Sequence, residues 1–217
     1  MVKIRLFYKK HGRTRYISHL DMNRCMMRSL KRSRLPVWYT EGFNPHMYLT
    51  FPLPLSLGYE SDYECVDMKF TEEVPFDEIL TRVNACLPEG LTAFAVNNQE
   101  MDQKEIAWAD YDIRLGCAPG SEQALKEAFL AFVSAPEILV EKKTKKGSKE
   151  VDLKPLFSLL SAETEPGCLA LRMRFATGIT VNINPGLLLD AFASPVPVES
   201  TRVNRTMVYT DKLEQFR

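Results

Sequence analysis

The 217-residue sequence predicts an α+β protein. Three observations carry the prediction. Short runs of alternating apolar and polar residues read as strands, amphipathic runs read as helices, and the order of these elements repeats between the two halves of the chain. Each half approximates β-α-β-β-α-β, so the expected architecture is two tandem ferredoxin-like modules with antiparallel sheets, over residues 1–98 and 106–217. The repeat lies in element order and not in residue identity.

Residues 2–9 alternate with Ile4, Leu6 and Tyr8 on one face, as a strand does. Ser18 suits a helix N-cap and Asp21 the first turn, and the helix has to end near Leu35 because Pro36 follows. Residues 37–40 read as a short strand, and 42–54, rich in turn formers and aromatics, as an ordered loop. A strand at 63–70, a helix at 75–87 and a strand at 91–96 complete the first module. The second repeats the order with a strand at 108–115, a helix at 121–133, a hairpin of 137–143 with 149–153, a strand at 168–175, a short helix at 185–192 and a strand at 198–209. One extra segment, 155–166, is expected as a helical or irregular insertion. Whether the lysine-rich turn within 142–149 joins a binding surface is left open by its composition.

Apolar content of 45% and charged content of 26% are those of a soluble globular protein. No apolar run approaches the ~20 residues of a membrane span, and the start has no signal-peptide character, so a cytoplasmic protein without membrane contact is expected. Cysteines 25, 65, 86, 117 and 168 are odd in number and scattered. They form no C-x-x-C pair, no zinc pattern and no closely spaced trio for an iron–sulfur cluster, so neither metal nor cofactor is expected in this chain.

Net charge is zero, yet its distribution is lopsided. Residues 1–35 hold eleven Lys or Arg (3, 5, 9, 10, 13, 15, 24, 28, 31, 32, 34) against Asp21 alone. Residues 60–110 hold thirteen acids against Lys69, Arg82 and Lys104. Such a field orients an anionic partner. On the first helix, Leu20, Met22, Met26, Met27 and Leu30 share one side, while Asp21, Arg24, Arg28, Lys31 and Arg32 share the other. These cations lack acidic i+4 partners and favour an anion, with phosphate the natural match for the arginine fork. Arg13 and Arg15 follow Gly12 in a turn that leads into this helix, a geometry that leaves N–H groups for an anion. His19 sits in the first helical turn. A second cluster, Glu41-Gly42-Phe43-Asn44-Pro45-His46, offers either an acid–base pair of Glu41 with His46 or recognition of a polar edge by Asn44 and His46.

These segments together resemble a known family. Arg15-Tyr-Ile-Ser-His-Leu-Asp, Arg24, Arg28, Leu35-Pro, Glu41-Gly-Phe-Asn-Pro-His and Pro54-Leu-Ser-Leu-Gly-Tyr-Glu-Ser are similar to the radical-SAM-linked bacterial domain of unknown function, over roughly residues 3–67. That domain occurs fused behind a radical SAM module or as its neighbour, beside a ribonuclease of the E/G type and large-subunit ribosomal proteins. The family continues its loop as Asn-Pro-His-Pro-Lys, whereas this chain has Met47 and Tyr48 after His46. The resemblance marks Ser18, His19, Asp21, Glu41, Phe43, Asn44 and His46 as a motif pocket. It implies an RNA context and a radical SAM partner, with the iron–sulfur cluster and S-adenosylmethionine in that partner only.

The expected function is therefore an accessory RNA-binding protein for tRNA or rRNA modification or maturation that presents substrate to a radical SAM partner. Arg13, Arg15, Arg24, Arg28, Lys31 and Arg32 would hold phosphates, and Phe43 or Tyr39 would stack a base. Two alternatives stand beside it. One is a stand-alone RNA-processing enzyme with His19 or His46 as general base and Glu41 as partner. The other is a binder of a small anionic metabolite.

Overall fold

Alternation along the strands decides the layers. In the computed structural model, which describes residues 1–144 and 147–217, the chain is a mixed α+β protein with antiparallel strand pairing throughout the pairs described below. It divides into two compact units, Met1–Glu105 with Gln215–Arg217, and Ile106–Glu214. The residues at 215–217 thus pack with the first unit, although they follow the last strand of the second.

In the first unit β1 (Val2–Lys10) is flanked by β3 (Glu60–Phe70) and β4 (Leu91–Asn98), and β2 (Leu49–Thr50) pairs with the other edge of β3. The strand order is β4-β1-β3-β2. Ile4, Leu6 and Tyr8 of β1, with Val66, Met68 and Phe70 of β3, form one apolar face. Onto it pack Met22, Met26 and Leu30 of α1 (His19–Ser33) and Ile79 and Val83 of α2 (Phe76–Asn84). Met26 and Leu30 are fully buried, each worth about 1.5–3 kcal/mol relative to exposure. Leu20 does not join this stripe. It lies in the first helical turn, before the helix reaches the sheet's apolar face, and is 67% exposed.

α1 begins as its sequence indicates. The Ser18 hydroxyl accepts from Asp21 N–H at 3.2 Å and donates to the Asp21 carboxylate at 2.8 Å. The helix ends at Arg34, which takes the left-handed conformation (φ 54°) ahead of Leu35-Pro36. Residues 37–40 make single bridges in place of the expected strand, Val37 to Phe70 and Tyr39 to Met47.

The opposite face of this sheet is not left to water. Phe7, Tyr63 and Phe94 form a ring cluster with centroids 5.2–6.1 Å apart. Beside it Arg5, fully buried, makes a two-pronged bond to Asp67 (2.6 and 2.7 Å) and lies 4.2 Å from the Phe216 ring centre. Burial works against the Arg5 charge, but the Asp67 hydrogen bond and charge outweigh it and hold its pKa above the ordinary value. Tyr63 donates to the Phe216 carbonyl at 2.7 Å and accepts from Gln215 at 2.9 Å.

In the second unit β10 (Ser200–Thr210), β5 (Ile106–Gly116), β9 (Cys168–Ala176) and β8 (Phe157–Glu165) pair in that order. α3 (Glu122–Val133) and α4 (Pro185–Ala191) supply its helices, and β6 (Leu139–Thr144) with β7 (Gly147–Asp152) forms a separate hairpin. Residues 145 and 146, at the centre of the lysine-rich turn, lie outside the described residues. The segment 155–166 is a correction. Apart from a 3-10 turn over Lys154–Leu156, it is neither helical nor an irregular insertion, because Phe157–Glu165 is β8, a strand of the sheet. A register shift between Leu159 and Ser161 breaks its alternation, so Phe157 and Leu159 turn inward and then Ala162 does. Cross-strand ion pairs line β5 and β9, with Arg174 holding Asp110 at 2.7 and 2.9 Å and Arg172 reaching Asp112 at 3.2 Å.

Candidate functional site

The basic N-terminal quarter divides once burial is known. Arg5 is sealed against Asp67, and Lys10 is buried, so neither offers charge to a partner. Lys9 and His11 face Asp62, at 3.8 and 3.1 Å. Gly12–Tyr16 forms a 3-10 turn, and one anion that this turn binds is internal, since Gly12 N–H donates to Glu60 at 2.8 Å. This turn is clamped by the 88–90 loop. His11 N–H donates to the Gly90 carbonyl at 2.8 Å, and Gly90 has φ +89° with no room for a side chain, as a Cβ would lie 2.5 Å from the His11 carbonyl. Arg13 is exposed, and Arg15 stacks 4.6 Å from the Tyr16 ring centre while bonding its hydroxyl.

The exposed side of α1 keeps its cations. Arg24, Arg28, Lys31 and Arg32 all face solvent. Asp21, Arg24, Cys25, Arg28, Arg32 and Pro88 line an open cavity of about 340 Å³. Within it Asp21 pairs with Arg24 at 3.3 Å, and Arg32 donates to the Cys86 carbonyl, which fixes one arginine at the cavity edge. Among the described residues, Arg13, Arg28 and Lys31 have no acidic partner. Three arginines at i, i+4 and i+8 therefore stand along one groove with a single carboxylate among them.

The motif residues fall into two places. Ser18 and Asp21 cap α1, and the His19 ring meets the Phe51 ring edge-on at 5.2 Å. Below them Tyr8, Lys10, Ser18, His19, Phe51 and Glu64 border a cavity of about 10 Å³, enough for one water. Lys10 and Glu64 are 3% and 4% exposed. Sequence reasoning passed over both. The signal was their phase: each continues the inward face of its strand, Lys10 after Tyr8 and Glu64 before Val66, where an apolar residue is expected.

Glu41, Phe43, Asn44 and His46 form the second place, a closed hairpin. Thr40 N–H donates to the His46 carbonyl at 2.8 Å, and His46 N–H donates to the Thr40 hydroxyl at 3.1 Å. His46 Nδ1 lies 3.0 Å from that hydroxyl and 3.2 Å from the Asn44 carbonyl. Nδ1 can donate to the Asn44 carbonyl or accept from the Thr40 hydroxyl, and in either case the ring is held within its own loop. Glu41 is exposed, and among the described residues no hydrogen bond or ion pair joins it to His46. Among the described residues no hydrogen bond or ion pair joins His19 to Glu41 or His46.

A family model described as an uncharacterized protein conserved in bacteria, DUF2344, matches residues 3–185. The chain belongs to that family. No curated protein matches it. The matched span takes in α1, the 40–46 hairpin and most of the second unit, so the DUF2344 pattern covers more than the motifs. Among the described residues of this DUF2344 member, no group of three or more His, Cys, Asp or Glu is placed to hold a metal ion, and no helix is long and apolar enough to cross a membrane.

Proposed function

We propose that this DUF2344 protein is an accessory RNA-binding protein, acting in tRNA or rRNA modification or maturation, that presents its substrate to a radical SAM partner. The observation that carries RNA binding is the groove on α1 where Arg24, Arg28 and Arg32 stand one above another, with Asp21 the one carboxylate among the described residues that line it. Residues four apart on a helix rise about 6 Å, a step that suits successive backbone phosphates. Arg28 and Lys31 bring charge that no carboxylate among the described residues pairs with, and Arg13 adds a further exposed cation. The radical SAM partner is supported by the resemblance of the 15–21 and 41–46 motifs to the radical-SAM-linked domain. In that reading the iron–sulfur cluster and S-adenosylmethionine reside in the partner, because Cys25, Cys65, Cys86, Cys117 and Cys168 are spread over both units. Reading each unit as a ferredoxin-like module belongs to the same proposal. The orders β4-β1-β3-β2 and β10-β5-β9-β8 support it, with the β6–β7 hairpin as the added piece of the second.

Binding of the full chain to unfractionated tRNA, measured from 50 to 300 mM salt, tests the proposal. The affinity falls steeply with salt, and Arg28→Ala and Lys31→Ala each reduce the log–log slope by about one. Salt-independent binding, or slopes untouched by either change, overturns it.

A further inference from the structure

The hairpin between Trp38 and Tyr48 is built to hold one ring in water. Phe43 at its tip is 111% exposed, more than in an extended peptide. The loop is nevertheless ordered by its own bonds. Three polar contacts join Thr40 to His46, and His46 also bonds the Asn44 carbonyl. Tyr39 bridges Met47, and Met47 is buried beneath. Gly42, at φ +121°, permits the turn that thrusts Phe43 outward.

The stem is aromatic and charged. Trp38 N–H donates to the Lys69 carbonyl at 2.7 Å, which ties the stem to β3. The Trp38 and Tyr48 rings lie 5.9 Å apart, and the Lys69 ammonium sits 5.2 and 4.6 Å from their centres. Nearby Phe51, just beyond this stem, touches His19 at the start of α1. The stem thus meets the start of α1, while the arginine groove of that helix opens beside Pro88.

We propose that this hairpin is a stacking finger for an unpaired nucleobase, with Phe43 against the base plane, Glu41 and Asn44 toward the base edge, and Lys69 as the cation of the stem. The proposal rests on the RNA-binding reading and narrows it to RNA that offers an unpaired nucleotide. A flat ring held alone among Glu41, Gly42, Asn44 and Pro45 suits a flat ligand with polar edges better than an apolar protein pocket, which would want neighbouring apolar side chains. Every base has a face to stack and an edge that an amide or carboxylate can bond. Because the loop is already closed, binding orders little that is not ordered beforehand.

The test compares a stem–loop RNA bearing 2-aminopurine in its unpaired loop with a blunt duplex of equal length, both titrated with the full chain. The intact protein binds the stem–loop more tightly and changes its 2-aminopurine fluorescence. Phe43→Ala weakens stem–loop binding roughly tenfold, abolishes the fluorescence change, and leaves duplex affinity and salt slope as they were. Phe43→Trp restores both signals. Equal affinity of Phe43→Ala and the intact chain for the stem–loop overturns the finger while leaving RNA binding intact, and assigns the ring to another class of partner. Equal loss on both RNAs overturns it too. Failure of the intact chain to bind either RNA overturns the RNA-binding reading, and the finger with it.

Discussion

Arg5 shows how far a single residue departs from what its type suggests. It counts toward the basic end of the chain, yet it is fully buried and held by both oxygens of Asp67, with Phe216 over its other face. Asp67→Asn leaves a buried guanidinium without its counter-charge and is expected to destabilise the protein by about 3–5 kcal/mol in chemical denaturation. Replacing the pair together, Arg5→Met with Asp67→Leu, is expected to lose markedly less, because no unpaired charge remains. Equal losses would mean that shape rather than charge pairing holds this site. Alternation located β1 correctly but did not show that both of its faces are covered, since Phe216 and Arg217 arrive from far along the chain. Lys10 and Glu64 were hidden for the same reason: charge is legible in a sequence, and burial of a charge is not. The cap at Ser18 and Asp21 was legible, because its partners are three residues apart.

Elements with local signals were the readable ones. α1 has its cap, its apolar stripe and a proline stop, and its exposed arginines follow from the 100° step. β8 escaped because a bulge inverts its phase and because, as the last strand of its sheet in the order β10-β5-β9-β8, it keeps polar residues. The 40–46 hairpin was legible as a cluster of residues but not as a shape, for its closure depends on Thr40, a member of the 39–46 cluster to which its sequence assigns no role. Two loops in the second unit make a pH prediction. Glu122 accepts from Gly167 N–H at 2.6 Å and from Gly120 N–H at 2.8 Å, and Asp152 accepts from Ile138 and Lys154 N–H, both at 2.9 Å. These donors, Gly167 foremost for Glu122 and Ile138 for Asp152, hold both carboxyls below their ordinary pKa. Their contribution is fully present above the unfolded carboxylate pKa of about 4, and it is lost as pH falls through the lowered folded values. Melting temperatures of the intact chain and of Glu122→Gln with Asp152→Asn should differ at pH 7 and converge toward pH 2. A gap of constant size would place the effect in packing.

At the scale of the whole molecule, zero net charge makes the position of charge decisive. A protein with a large positive charge attracts any polyanion over its entire surface, and changing one lysine then matters little wherever it lies. Here the attraction has to come from cations left over after internal pairing, and in the basic N-terminal quarter these include, among the described residues, Arg13, Arg28 and Lys31. Beyond about 8 Å at physiological salt the rest of the surface is screened from a docked phosphate. Reversing charge at Arg28 and Lys31 to Glu should therefore slow RNA association strongly at low salt and weaken equilibrium binding. Reversing Lys126 and Lys212 to Glu changes the net charge equally but within the second unit, and should leave both nearly unchanged. Stopped-flow association with fluorescent RNA at two ionic strengths separates the cases. If both double variants slow association alike, RNA is drawn by overall charge and the α1 groove has no special claim on it. If only the first does, the field is local and the arginine ladder of α1 is its source.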